Sequence, residues 1–130
     1  MRFGIFGDIH GNLDAFQAVL AEMERLEVDE FLCMGDLVGY GADPETCIHV
    51  IRDLGALTIA GNHDHAVLDY LDVAYFNQYA RDAALWTREQ LSAESKSWLA
   101  DRPLVEHMET FALVHGSLQA PELFNYVTTI

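Results

Sequence analysis

The sequence predicts an α/β fold in which strands and helices alternate and build a parallel sheet. Short apolar runs that end in glycine recur along the 130 residues, with helical patterns between them. The apolar runs occupy residues 3–6, 31–34, 57–60 and 111–114. Because the first three are separated by helical segments, the order strand, helix, strand, helix, strand favours a parallel sheet with right-handed crossovers.

The first strand is predicted at Phe3–Phe6, and a polar loop follows it. In an extended stretch, residues two positions apart point to the same side, so the side chains of Asp8 and His10 should converge. Asn12 is a typical N-cap, and the apolar spacing over Leu13–Leu26 predicts an amphipathic helix. Open parallel sheets bind ligands at such loops, just beyond the carboxyl ends of their strands.

The second and third strands, residues 31–34 and 57–60, also end in glycine and polar side chains. Between them, Asp43 is predicted as an N-cap with Pro44 in the first helical position, and Gly55 is predicted to end this helix. The residues that follow the two strands are Gly35-Asp36 and Gly61-Asn62-His63-Asp64.

From residue 66 to residue 100 the strand signal disappears and helices are predicted, the second starting at Ser92 and ending before Pro103. The aromatic residues of this segment would either line a cleft or pack the helices together. Residues 104–108 and 111–115 predict two antiparallel strands joined by a tight turn. The last segment, 124–130, is compatible with a short strand or the entry to a helix.

Composition restricts the classes of function. The chain is 51% hydrophobic and 22% charged, which is typical of one globular domain. A net charge of −14 argues against non-specific nucleic-acid binding, and it suits phosphate binding only where cations reverse the local sign. Neither a membrane-spanning run nor a signal peptide is recognised, and the two cysteines are expected to be free thiols, so a cytoplasmic location is expected.

The polar residues at the strand ends form an ordered set of motifs. They read Asp8-x-His10, Gly35-Asp36, Gly61-Asn62-His63-Asp64 and His115-Gly116. In this order they resemble the calcineurin-like metallophosphoesterase superfamily, whose motifs are D-x-H, G-D-x-x, G-N-H-[DE] and a lone H. The four motifs together span nearly the whole chain.

The resemblance implies a metal ligand at each of these motifs. Asp8 and His10 would bind one metal ion, Asp36 would bridge two, and Asn62 and His115 would bind the second. Carboxylate, imidazole and amide ligands suit two divalent ions such as Mn, Fe or Zn.

The resemblance also implies catalysis, with His63 as the general acid and Asp64 as the carboxylate that orients it. The expected function is hydrolysis of small phosphomonoesters or phosphodiesters by a metal-bridging hydroxide. One alternative is a dinucleoside-polyphosphate hydrolase that uses the same site. Another is a non-catalytic protein-interaction scaffold or an inactive fragment of this fold.

The chain departs from the family pattern at two places. The segment Asp36–Gly41 lacks the phosphate-gripping arginine of protein phosphatases, which favours the small prokaryote-type phosphoesterase and phosphodiesterase branch. The terminal G-H-x-H motif is absent after His115. The expected architecture is therefore an incomplete α-β-β-α sandwich, with a parallel βαβαβ sheet, a helical insert and the start of a second sheet.

Residues 1–130 would then form the N-terminal half to two-thirds of a metallophosphoesterase domain. Truncation, cleavage and a natural short form all remain compatible with the sequence. An unfinished sheet would leave an edge and an apolar face uncovered, so a homo-oligomer is a possible form of the chain.

Overall fold

The computed structural model describes residues 1–129, and its centre is a parallel three-stranded sheet. The strands lie side by side in chain order, each parallel to the next. They are β1 (Phe3–Phe6), β2 (Glu30–Cys33) and β3 (Leu57–Thr58). A second sheet pairs β4 (Val105–His107) with β5 (Ala112–Val114) in antiparallel orientation.

Helices connect the strands and fill the segment between the two sheets. They are α1 (Leu13–Arg25), α2 (Pro44–Leu54), α3 (Asn62–Val67), α4 (Gln78–Gln90) and α5 (Ala93–Ala100). Two short 3₁₀ turns cover Val73–Tyr75 and Pro121–Leu123. The predicted α/β fold, with its parallel βαβαβ sheet, its helical insert and the start of a second sheet, is confirmed.

Two predicted helix starts are set by side-chain hydrogen bonds, whereas Asp43, the predicted N-cap of α2, makes no such bond. The Asn12 side chain accepts a hydrogen bond from the Ala15 N–H and starts α1, and Ser92 starts α5 in the same way. Gly55 ends α2 in the left-handed conformation, with φ of 66°. Helix α3 begins at Asn62, four residues earlier than expected, and β3 is two residues shorter than expected.

Adjacent residues of β2 build the two layers of the core, because successive side chains of a strand point to opposite faces. Cys33 packs with the helices on one face of the sheet. Leu32 packs with Ile59 and Leu113 on the other face, under the second sheet. The helical layer and the two sheets are therefore stacked in the order α, β, β.

The second sheet leaves part of the first uncovered. Strand β1 lies at the edge, and its Ile5 side chain is 57% exposed although the neighbouring strand residues are apolar. Residues 124–129 have no regular secondary structure, so neither a strand nor a helix forms there, and Ile130 lies outside the described residues. No helix in the described part of the chain is long and apolar enough to cross a bilayer.

We expect the uncovered sheet face to cause self-association of the chain. The change Ile5→Ser should shift the protein towards monomer, because it removes exposed apolar surface beside an unpaired strand edge. Sedimentation velocity over a concentration series is the measurement. Val19→Ser on α1, where the side chain is 40% exposed, is the control that removes similar surface elsewhere. A wild-type chain that stays monomeric at high concentration would contradict this expectation.

Candidate metal centre

The loops that follow β1 and β2 are joined by backbone hydrogen bonds. The Asp8 N–H donates to the Gly35 carbonyl at 3.0 Å, and the His10 N–H donates to the Asp36 carbonyl at 2.9 Å. Asp8 and His10 both have positive φ, 51° and 49°. They converge as predicted, but a left-handed turn brings them together and the extended geometry assumed from the sequence is wrong.

Four of the five side chains predicted to bind metal lie around the fifth, Asp36. The Asp36 Oδ2 atom lies 3.6 Å from His10 Nε2 and 3.4 Å from His115 Nε2. Asp8 Oδ1 lies 3.7 Å from His10 Nε2, and Asn62 Oδ1 lies 3.1 Å from His115 Nε2. The fold thus collects Asp8 and His10 from the loop after β1 and one further side chain from each of three other strand ends.

Backbone carbonyls fix the orientation of both imidazoles. His10 Nδ1 lies 3.1 Å from the Val38 carbonyl oxygen, and His115 Nδ1 lies 2.7 Å from the Met34 carbonyl oxygen. A carbonyl oxygen only accepts, so each Nδ1 must carry the proton, and each Nε2 faces the Asp36 carboxylate. The lone pair of an unprotonated Nε2 and those of the Asp36 carboxylate would repel each other unless a cation lies between them. This is the arrangement that orients histidine ligands in metal sites.

The pKa shifts of His115 and Asp36 in the protein without bound ions also indicate a cation site. Burial lowers the pKa of His115, but the Asp36 carboxylate outweighs it and raises that pKa to about 9. Burial likewise raises the pKa of Asp36, and the His115 imidazole outweighs it, so the pKa of Asp36 is lowered. A proton held between the two groups occupies the position that a divalent cation would take.

Asp36 is the residue common to both groups of side chains that could hold an ion. One group is His10, Asp36 and His63, and the other is Asp8, Asp36 and His115, each with ligand atoms within 4.8 Å of one another. Carboxylate and imidazole donors, with the nearby amide oxygen of Asn62, fit divalent ions such as Mn, Fe or Zn.

His63 is held among aromatic rings beside this cluster. Its ring centroid lies 4.6 Å from Phe76, 4.7 Å from His10 and 4.9 Å from Tyr40. The backbone N–H of His63 donates to Asp36 Oδ1 at 2.9 Å. The buried ring atom Nδ1 has no hydrogen-bond partner among the described residues. Burial lowers the pKa of this imidazole.

Asp64 does not orient His63, so this prediction is wrong. Both carboxylate oxygens of the fully buried Asp64 accept hydrogen bonds from the backbone. The donors are the N–H groups of Asp36 at 2.8 Å, Gly61 at 2.9 Å, Leu37 at 2.9 Å and Val38 at 3.3 Å. Burial and the Asp36 charge raise the pKa of Asp64, and the backbone donors limit that rise. Its role is to hold two loops together.

The cluster opens into a cleft of about 450 Å³. Tyr40 lines one side of its rim and residues 124–127 line the other. Tyr40 was not among the site residues predicted from the sequence. The pair of glycines around it, Gly39 and Gly41, was the available signal, because such a turn brings the backbone close to neighbouring groups.

Gly61 is predicted to be indispensable to the centre. A Cβ atom at this position would lie 2.0 Å from Asp36 Oδ1 and 2.4 Å from the Asp36 backbone nitrogen, which leaves no room for alanine. Gly61→Ala should lower the free energy of unfolding by about 1–3 kcal/mol and abolish metal binding, because Asp36 must move. Denaturant titration and metal analysis are the measurements.

Gly4→Ala is the matched control for this change. Its Cβ would meet the flexible Met23 sulfur at 3.0 Å and a Val28 methyl at 2.9 Å, far from the cluster. It should retain metal binding. Normal metal binding by the Gly61 variant would contradict the packing derived for the centre.

Comparison with known proteins identifies the family of the chain. A family model described as calcineurin-like phosphoesterase matches residues 1–129. An uncharacterized protein of Methanocaldococcus jannaschii is 37% identical over 127 residues, which are 95% of this chain and 52% of that protein. A symmetrical bis(5'-nucleosyl)-tetraphosphatase of Glaesserella parasuis is 35% identical over 97% of this chain and 47% of its own length.

A solved structure shares the fold. The metallophosphoesterase from Sphaerobacter thermophilus superposes with a TM-score of 0.82 at 38% identity, over 98% of this chain and 51% of that one. The chain spans about half the length of the curated relatives it matches.

Proposed function

The chain belongs to the calcineurin-like phosphoesterase family, and from this premise we propose that the protein hydrolyses phosphomonoesters or phosphodiesters with the help of two divalent metal ions. One observation carries the proposal. The Asp36 Oδ2 atom lies between the Nε2 atoms of His10 and His115, and both imidazoles are oriented by backbone carbonyls. This geometry suits a carboxylate that is shared between two ions.

The division of ligands is the one that the family resemblance implies, and the neighbour of each imidazole supports it. Asp8 and His10 would hold one ion, and Asn62 and His115 would hold the other, with Asp36 common to both. When bound, two such ions would supply neutralising charge for phosphate and activation of water as a nucleophile at neutral pH. Manganese, iron and zinc all fit this donor set.

The charges around the cleft support a role for cations in substrate binding. No arginine or lysine is among the described residues that line the cleft, whereas Asp8 and Asp36 are. A phosphate group would meet net negative charge there without added cations. The ligand residues therefore serve substrate binding as well as the reaction.

His63 is proposed to donate the proton to the departing oxygen of the ester. Its ring stands beside the ligand cluster, 4.7 Å from the His10 ring, and only 8% of the residue is exposed. The rings of Phe76 and Tyr40 restrict its orientation, which replaces the carboxylate partner that the sequence had suggested. A fixed imidazole beside the reacting group is well placed for general acid catalysis.

Dinucleoside polyphosphates are the second candidate substrates. The relative from Glaesserella parasuis, a symmetrical bis(5'-nucleosyl)-tetraphosphatase, supports this class. A non-catalytic scaffold would not need these ligand side chains, and the five that the chain carries are brought together here. Rates on diadenosine tetraphosphate and on bis-p-nitrophenyl phosphate, measured with the same Mn²⁺-loaded protein, separate the two substrate classes.

The share of the relatives' length that the chain covers supports the interpretation that residues 1–130 are the N-terminal half to two-thirds of such a domain. A cytoplasmic location is proposed, and two buried free cysteines support it. A homo-oligomer is proposed on the basis of the uncovered sheet face at Ile5.

Metal content tests the site independently of turnover. Asp36→Ala should lose both Mn²⁺ ions and all metal-dependent hydrolysis of bis-p-nitrophenyl phosphate, because this carboxylate contacts both groups of ligands. Asn62→Ala should lose mainly one ion, because the amide oxygen lies beside His115. Elemental analysis after equilibration with Mn²⁺ is the measurement. Equal metal content in the wild type and the Asp36 variant would refute the site.

A variant of His63 tests its role as proton donor. His63→Ala should leave the metal content unchanged and lower kcat by roughly 10²–10⁴-fold for a nucleotide ester, whose alkoxide leaving group needs a proton. The loss should be much smaller for a p-nitrophenyl ester, because p-nitrophenolate departs readily as an anion. Steady-state kinetics on both esters is the measurement.

The adjacent imidazole provides the control. His65 packs against the rings of Tyr70 and Phe124, outside the ligand cluster, so His65→Ala should leave the ratio of the two rates unchanged. An equal loss of kcat on both esters in the His63 variant would mean that His63 positions phosphate rather than donating a proton.

A further inference from the structure

We propose that Tyr40 is a specificity residue whose ring stacks against a planar aromatic group of the substrate, a nucleobase in the first instance. This inference rests on the proposed phosphoesterase function and names the class of ester that the same site would select. The backbone, the position of the ring and the surface beyond it each support it.

The backbone of Tyr40 adopts a conformation that disfavours a side chain of this size. Its φ is 60°, in the left-handed region, and it follows Gly39 with φ of 91°. Bulky residues with positive φ are uncommon, and they concentrate at ligand sites, where surrounding contacts enforce them. Glycine would fit this turn without strain. We therefore infer that the tyrosine ring has a function at this position.

The ring is held at the rim of the metal centre with much of its surface free. Its centroid lies 5.0 Å from the His10 ring, almost perpendicular to it, and 4.9 Å from the His63 ring. These two contacts fix the ring on the side of the cluster, yet Tyr40 is still 50% exposed. A fixed and half-exposed aromatic ring offers a preformed face for stacking at little cost in conformational entropy.

Tyr40 also separates two depressions of the surface. One is the cleft of the metal centre, and the other is a more open depression of about 540 Å³ between the first turns of α1 and α2. Asp8 and His10 line both, so a molecule whose phosphate lies at the metal centre can extend past Tyr40 into the second depression.

The walls of the second depression suit an uncharged, hydrogen-bonding group and not another phosphate. Asn12, Asp14 and Asp43 are among the residues that line it, and no arginine or lysine is among the described lining residues. Asp43 is the N-cap of α2, but its side chain makes no capping hydrogen bond. Its carboxylate is therefore available to accept hydrogen bonds from sugar hydroxyls or from amino groups of a base.

The test compares two ligands that differ only in the base. AMP and ribose 5-phosphate carry the same sugar and phosphate, and both are titrated into the Mn²⁺-loaded chain by isothermal titration calorimetry. Base stacking on an aromatic side chain should make AMP bind about tenfold more tightly than ribose 5-phosphate. Tyr40→Phe should keep this ratio because it keeps the ring, and Tyr40→Ala should bring it close to one by weakening AMP binding alone.

Two further measurements make the result specific. Tyr75→Ala removes a tyrosine that is 85% exposed outside both depressions, and it should keep the wild-type ratio. In the wild-type chain, AMP should shift the NMR signals of the Tyr40 ring protons upfield, whereas ribose 5-phosphate should not, and this readout does not depend on any variant being folded.

An unchanged ratio in the Tyr40→Ala variant, or equal affinity of the wild type for both ligands, would overturn the stacking role and leave the phosphoesterase proposal standing. Failure of both ligands to bind the Mn²⁺-loaded chain would contradict the metal-dependent phosphate site itself, and the inference would fall with it.

Discussion

The carboxylate of Asp64 is the interaction on which the rest of the site depends. It is 0% exposed, and it accepts backbone hydrogen bonds from the loop after β2 and from Gly61 before α3. These N–H groups are too deeply placed for water to replace the carboxylate, and each one left without a partner would cost about 1–3 kcal/mol. The Asp36 side chain completes the connection, because its Oδ1 atom accepts a hydrogen bond from the backbone N–H of His63. Each aspartate thus stabilises the loop that carries the other.

This connection explains how the chain can hold its ligands in unfavourable backbone conformations. Asp8, His10 and Asp36 all have φ near 50°, at 51°, 49° and 54°. Such residues persist only where the surrounding structure enforces their conformation. Here the hydrogen bonds between the first two loops and the buried carboxylate provide that enforcement. The side chains are therefore positioned before any ion arrives, and little reorganisation is needed to bind one.

The sequence was informative wherever function depends on the ends of strands. Parallel strands bring their carboxyl ends to one edge, so the residues after each glycine could be predicted to meet, and the structure brings all five together. The role of Asp64 could not be obtained in this way. Helix α3 begins at Asn62, and successive residues of a helix point about 100° apart. His63 and Asp64 are adjacent in the chain but face different surroundings, and sequence spacing does not show which groups a buried carboxylate will find.

The distribution of charge links the metal centre to the choice of substrate. A chain with a net charge of −14 repels phosphate esters at long range, and its cleft offers aspartate and histidine but no arginine or lysine among the described lining residues. Cations held by Asp36 and its neighbours would have to attract the phosphate, so affinity for the phosphate depends on metal occupancy. Affinity for the remainder of the ester would come from groups beside the metal centre, among them the exposed ring of Tyr40. Metal loading would then set whether an ester binds, and the surface beside the metal centre would set which one.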